Sequence, residues 1–247
     1  MLSLDGRPEV NDRLRKTVNS KGSYDVLVKN FKKLVDKRMK GPYKEYYVRG
    51  TFTKYNLDFT KDALHIADLG FDQLSVEPVS ADPSEPYALT ENDLPAIFDE
   101  YERLAKELIE RKKSGKGFNF FHFMIDLNQG PCAIKRLRGC GCGNEYVAIT
   151  PDGDIYPCHQ FVGQEEWKMG NIDDGSFDSE KKERFSEAHI YNKESCRNCW
   201  ARFYCSGGCN ANNYESCGDI LKPDPLSCEI ERKRVECALM IKAAMAD

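Results

Sequence analysis

Cys196-Arg-Asn-Cys199-Trp-Ala-Arg-Phe-Tyr-Cys205-Ser-Gly-Gly-Cys209 sets four thiols close together in the chain, with Cys228 following and Cys140 and Cys158 preceding. The earlier pair brackets Gly153-Asp-Ile-Tyr-Pro-Cys158. A cubane needs several thiolates converging on irons a few ångströms apart, and a backbone that comes close enough to offer N–H groups to sulfur. The Cys-x2-Cys pair meets the first need and Gly207-Gly208 the second. Zinc in a tetrahedron of thiolates is the alternative. A zinc ribbon, however, joins Cys-x2-Cys to a second such pair some 15–20 residues on, whereas here the partner is a Cys-x5-Cys-x3-Cys run. Spacing and the surplus of thiols favour iron.

The 247 residues are 40% hydrophobic and include 11 cysteines. That is enough for one large domain or two small ones. A secreted disulfide scaffold is not expected, because Met1-Leu-Ser-Leu-Asp-Gly-Arg-Pro-Glu-Val10 puts charges where a signal peptide carries its apolar stretch. Reduced cytoplasmic thiols holding metal are expected instead. No run reaches the roughly 18 apolar residues of a membrane span. With 36 basic against 40 acidic residues, the net charge of −4 excludes broad binding to nucleic-acid phosphates as the main activity.

Residues 23–38 carry Leu27, Val28, Phe31, Leu34 and Val35 at helical spacing, with Ser23 as the expected cap. Residues 45–53 and 71–79 read as strands, joined by a short helix that Thr60 is expected to cap and Gly70 to close. Strand, helix, strand in that order implies a right-handed parallel crossover. After a Pro-rich loop at 81–86, Thr90 with Asp93 opens a long helix through Leu94, Ile97, Tyr101 and Leu108. Residues 117–125, rich in aromatics, read as a further strand with its rings in the core. Beyond about Gly130 the texture changes. Residues 146–156 read as a hairpin turning at 151–153, and a last helix is expected over 229–246, with Ile230, Leu239 and Ile241 available for packing. The expected fold is therefore an α/β segment over 1–130 and a small cysteine-rich α+β domain over 131–247. Only two or three βα units fit the first part, well short of a full eight-stranded barrel.

The order Cys140, Gly153, Cys158, Cys196, Cys199, Cys205, Cys209, Cys228 resembles the SPASM domain of radical S-adenosylmethionine peptide maturases. The surrounding phrases, Ala148-Ile-Thr-Pro-Asp-Gly-Asp-Ile-Tyr-Pro-Cys-His159 and Lys168-Met-Gly-Asn-Ile172, look like the same domain. Ser3-Leu-Asp-Gly6 with Asn11-Asp-Arg13 resembles the phrase that follows the fourth strand of the radical-SAM partial barrel. Residues 46–51 and 74–78 would then be the fifth and sixth strands. Cys140-Gly-Cys-Gly143 and Pro157-Cys-His-Gln-Phe-Val-Gly163 are most similar to the thioether-forming maturases of SCIFF peptides.

That resemblance implies two auxiliary [4Fe–4S] clusters. Cys196, Cys199, Cys205 and Cys228 would hold one; Cys140, Cys158 and Cys209 would hold the other. Its fourth position goes to Cys142, to Cys132, or to a substrate thiolate on an open iron. Cys132, Cys217 and Cys237 are otherwise expected to be structural. Ser3 and Arg49 are implied on the methionyl part of S-adenosylmethionine, for which the fork of Arg suits a carboxylate, or else are a frayed terminus and a salt-bridged strand residue. Glu77 is either beside the same cavity or a solvated strand-end carboxylate. The implied partners are a Cys-rich precursor peptide and an electron donor such as ferredoxin or flavodoxin. Two departures from the family matter. The radical-generating Cys-x3-Cys-x2-Cys triplet is absent from the 247 residues, so the chain is expected to be the C-terminal portion of such an enzyme, or, as the alternative, a non-catalytic iron–sulfur or zinc binding module. Anaerobic sulfatase maturases carry an aspartate after the equivalent of Cys158, where this chain has His159, a residue that titrates near neutral pH or hydrogen-bonds sulfide. Thioether cross-linking is accordingly expected over sulfatase maturation.

Overall fold

The computed structural model describes residues 1–42, 44–125 and 136–246. It divides into two compact units, Met1–Ile125 with Lys233–Asp247 and Asp126–Arg232. The helix that ends the chain therefore divides between them rather than lying wholly in the cysteine-rich part, as the 131–247 boundary had it.

In the first unit, β1 (Leu2–Ser3), β2 (Val48–Phe52), β3 (Gln73–Pro78) and β4 (Asn119–Phe120) form a parallel sheet in the order β1-β2-β3-β4. The crossovers hold α1 (Pro8–Leu14), α2 (Tyr24–Met39), α3 (Phe59–Asp68) and α4 (Leu94–Lys113). The register, Ser3 opposite Arg49 opposite Ser75 and Thr51 opposite Glu77, gathers the polar side chains of neighbouring strands on one face. Leu4, Val48, Phe52, Leu74 and Val76 alternate with them and are buried on the other face. Phe52 stacks on Phe59 at 4.3 Å, and Tyr101 of α4 packs on Phe59 at 4.8 Å, so the helices cover the apolar face with an aromatic core.

The structure corrects four local expectations. Thr60 lies inside α3 rather than at its cap, and its backbone N–H and hydroxyl bind the Glu100 carboxylate and carbonyl. Ser23 stands at the start of α2, but its hydroxyl donates to the Arg15 carbonyl instead of capping. The aromatic stretch after Gly117 gives only the short β4 before tightening into a 3₁₀ turn at Phe121–Phe123. Phe118, Phe120 and Phe123 are buried there, whereas Phe121 and Met124 are exposed. In the last helix Leu239 faces solvent, while Ile230 and Ile241 are buried. By contrast Thr90 and Asp93 do pair as a reciprocal cap ahead of α4.

The second unit carries an antiparallel sheet of β5 (Ala148–Ile149), β6 (Asp154–Tyr156), β7 (Gly170–Asn171) and β8 (Ser176–Phe177). Ala148 pairs with Tyr156 across the expected hairpin. Short helices follow: α5 (Ser179–Ser186), α6 (Glu194–Arg197), α7 (Arg202–Cys205) and α8 (Asn210–Cys217). The closing α9 (Pro225–Ala244) starts earlier than residue 229, with proline in the position where a missing N–H costs nothing. From Lys233 onward it packs with the first unit: Arg234 donates to the Tyr101 hydroxyl at 2.9 Å and Lys233 to Glu102 at 2.6 Å, which explains the division of this helix. Among the described residues no helix is long and apolar enough to cross a membrane.

Candidate iron–sulfur centre

Cys196 and Cys199 come from α6 and the turn after it, Cys205 from the end of α7, and Cys228 from the first turn of α9. All four line one cavity of about 220 Å³, together with Gly207, Arg202 and Arg232. Ser206, Gly207 and Gly208 adopt φ of 61°, 89° and 73° in succession. Such a left-handed run is accessible chiefly to glycine, and it turns the N–H groups of Gly207 and Gly208 onto the Cys205 sulfur. A β-carbon on Gly207 would also come within 3.3 Å of the Lys193 side chain. Burial pushes the Cys205 thiol up to about 11 despite those two donors. It pushes Cys228 to about 12, with Cys205 and Cys196 adding to the shift. These thiols keep their protons at neutral pH, so metal entry would release them.

The other thiols gather against the aromatic core of the second unit. Cys142 and Cys158 are buried within the cluster of Tyr156, Phe161, Trp167 and Phe185. Cys142 is the middle group of three, in hydrogen-bond contact with Cys140 and Cys158. The hydrogen-bond contacts with Cys142 lower Cys140 to about 5 and Cys158 to about 6, and raise Cys142 itself. The Tyr146 hydroxyl also donates to the Cys140 sulfur, at 3.6 Å. Cys209 is half-buried, and the thiols of Cys140 and Cys158 act on its charge. Its sulfur donates to Gln160 at 3.3 Å. Cys140 and Cys158 thus offer thiolate character, the form in which cysteine binds metal, whereas burial raises Cys209.

The donor sets fit a multinuclear cluster better than a mononuclear ion. Among the described residues no three Cys, His, Asp or Glu side chains are disposed to hold one metal ion. Tetrahedral zinc needs four donors around a single centre, whereas a cubane spreads its thiolates over four irons. Every described cysteine is a free thiol. Cys132 lies outside the described residues. Cys237 is buried in α9, and Cys217 donates to the Ser216 hydroxyl and the Pro223 carbonyl. His159 is exposed, and its charge acts on Cys158 from the adjoining turn.

Gly143 shows how tightly the set of Cys142 and Cys158 is seated against the aromatic core. Its φ is 73°, and an added β-carbon would fall 2.5 Å from the Phe185 ring. Gly143→Ala is expected to cost about 2–4 kcal/mol from left-handed strain and overpacking. Phe185 and Trp167 pack at 5.3 Å, so an unfolding curve followed by tryptophan emission will report the loss. An unchanged midpoint would mean that the turn is not seated against that ring.

In the first unit, Ser3 and Arg49 stand side by side in the sheet and both are exposed. Arg49 Nε lies 3.7 Å from Glu77 Oε1. Glu77 is not a solvated strand end. His122 Nε2 lies 2.8 Å from it and Arg234 3.6 Å, and three basic partners around one carboxylate were not foreseeable from the sequence, because two of them are distant in the chain. The Asp5 carboxylate accepts from Arg15 at 2.6 Å and from the Thr51 N–H at 2.9 Å, tying the loop after β1 to β2.

Residues 140–200 match the family described as SPASM: Iron-sulfur cluster-binding domain. The chain is 28% identical over 222 residues to the "Cysteine-type anaerobic sulfatase-maturating enzyme" of Clostridium novyi, covering 85% of this chain and 57% of that protein. It is 31% identical over 142 residues to an "Uncharacterized protein" of Archaeoglobus fulgidus, covering 55% of this chain and 34% of that protein. The chain thus spans about half the length, or less, of these curated relatives. Among solved structures, "Native anSMEcpe with bound AdoMet and Kp18Cys peptide" superposes with a TM-score of 0.72 at 19% identity, covering 98% of this chain and 68% of that chain. "Native anSMEcpe with bound AdoMet" gives 0.73 at the same identity and covers 67% of that chain. Residues 140–200 thus match an iron–sulfur cluster-binding SPASM domain, the chain is similar in sequence to an anaerobic sulfatase-maturating enzyme, and it shares the fold of these solved structures. The expected likeness to thioether-forming maturases is narrower than these matches reach.

Proposed function

We propose that this chain is the auxiliary-cluster portion of a radical S-adenosylmethionine maturase that forms thioether cross-links in a Cys-rich ribosomal peptide. One observation carries the reading: Cys196, Cys199, Cys205 and Cys228 converge on one cavity, and two backbone N–H groups are turned onto Cys205. These four would hold one [4Fe–4S] cluster. Cys140, Cys158 and Cys209, with Cys142 or a substrate thiolate, would hold the second. When bound, such clusters supply one-electron capacity and a thiophilic iron. Ser3 and Arg49, adjacent on the polar face of the sheet, would take the carboxylate of S-adenosylmethionine. Ferredoxin or flavodoxin would donate electrons. No residue here is assigned to cleavage of S-adenosylmethionine, since the triplet that performs it in the family is not among these residues.

A second reading, maturation of a sulfatase cysteine, is favoured by the relative that aligns over 85% of the chain. His159 in place of aspartate speaks for thioether formation. Anaerobic reconstitution followed by measurement of iron, sulfide and zinc per chain tests what both readings share. About eight irons with matching sulfide are expected for two cubanes. One zinc and little iron would leave a structural binding module. Adding a Cys-rich peptide, then a sulfatase-derived peptide, and reading the perturbation of the cluster's electron paramagnetic resonance separates the two substrates.

A further inference from the structure

Lys193 is 1% exposed, and among the described residues no carboxylate lies within ion-pair distance of its ammonium. Its Nζ donates to the Gly207 carbonyl and to Asn210 Oδ1, both at 2.8 Å. Each partner belongs to a different cysteine set. The N–H of Gly207 serves the Cys205 sulfur, and Asn210 Nδ2 donates to the Cys142 sulfur at 3.6 Å. Burying a cation against neutral oxygens alone is costly, so a structure that retains one implies negative charge nearby. Four thiolates on an oxidised cubane leave two net negative charges, and one added electron makes three.

Resting on the two-cluster reading above, we propose that Lys193 is a positioning residue shared by both clusters, whose buried charge raises the reduction potential of each [4Fe–4S]2+/+ couple. The added electron, supplied from outside by a chemical reductant or a redox protein, increases the negative charge facing the ammonium, so reduction is favoured. Arg202 and Arg232 also carry charge near the cavity of Cys196, Cys199, Cys205 and Cys228, but Lys193 bonds to the surroundings of both sets. Burial pushes the Lys193 ammonium down, and the thiols of Cys196, Cys205, Cys142 and Cys209 push it back up, consistent with a charge placed between the two sets.

The test is a dithionite titration of the anaerobically reconstituted chain, followed by electron paramagnetic resonance, for the wild type, Lys193→Met and Lys193→Gln. Met removes charge and hydrogen bonds; Gln removes charge and keeps a donor. Both variants are expected to lower both potentials by a factor of ten or more in the one-electron equilibrium, about 59 mV. Wild-type potentials in Lys193→Gln, or a shift in one couple alone, overturn the proposal. If neither variant retains iron while the wild type holds about eight atoms, Lys193 serves folding and the proposal fails. A wild type without iron instead overturns the cluster reading, and this proposal with it.

Discussion

Replacing Cys205 with alanine is expected to lower the iron of the reconstituted chain from about eight atoms to about four, and Cys158→Ala is expected to remove the other four. Cys205 lines the cavity it shares with Cys196, Cys199 and Cys228 and receives the Gly207 and Gly208 N–H groups. Cys158 is buried in the other group of thiols, against Cys142 and the aromatic core. The two changes should therefore add, and the double variant should hold almost no iron. Chemical analysis of iron and sulfide, with Mössbauer spectra to identify the surviving species, reads the result. Cys142→Ala refines it: about four irons retained in the set of Cys140, Cys158 and Cys209, with iron exchange unchanged, would assign Cys142 outside the ligand shell, whereas one more exchangeable iron would assign it as the fourth ligand. If either single variant empties both sets, the division of thiols drawn here is wrong.

Glu77→Gln is expected to destabilise the first unit by about 3 kcal/mol near neutral pH. Burial alone would raise the Glu77 carboxyl, but the hydrogen bond from His122 and the charges of His122, Arg234 and Arg49 outweigh it and hold the group at about 2 against an ordinary 4.5. Each unit of such a shift corresponds to about 1.4 kcal/mol. Because the folded value is depressed, the stabilisation is fully present above about 4.5 and is lost as pH falls toward about 2. Wild type and Glu77→Gln should thus differ at pH 7 and converge in acid. Both tryptophans, Trp167 and Trp200, lie in the second unit, so far-ultraviolet circular dichroism or calorimetry is needed to see the first. A difference independent of pH would mean that shape, and not charge, is what Glu77 contributes.

Much of this was legible in the sequence, for reasons that differ by element. The crossover from β2 through α3 to β3 followed from alternating β-branched runs and helical periodicity, which are local signals. Thr90 and Asp93 announced their cap because capping needs only residues three apart. The thiols were legible as a class, since Cys-x2-Cys and the Gly-Gly pair put chemistry and backbone freedom side by side. What was not legible depends on distant partners. Thr60 looks like a cap until Glu100 takes its N–H and hydroxyl. Residues 117–125 have a strand's composition, yet only two of them pair with β3 before the chain tightens. Nothing local in Asn192-Lys193-Glu194 shows that Gly207 and Asn210 will close over Lys193. Glu77 likewise gains its meaning from His122 and Arg234, the second of which arrives on α9.

The left-handed turn at Ser206–Gly208 carries a consequence for imitation. Residues 196–209 alone present four thiols, so a synthetic peptide maquette of that stretch would wrap all four around one cluster. In the protein the turn sends Cys205 toward Cys228 and leaves Cys209 beside Gln160, far earlier in the sequence. If the two-cluster division holds, straightening that turn would let neighbouring thiols compete for one inorganic core, and Ser206–Gly208 would serve to keep Cys205 and Cys209 apart during assembly.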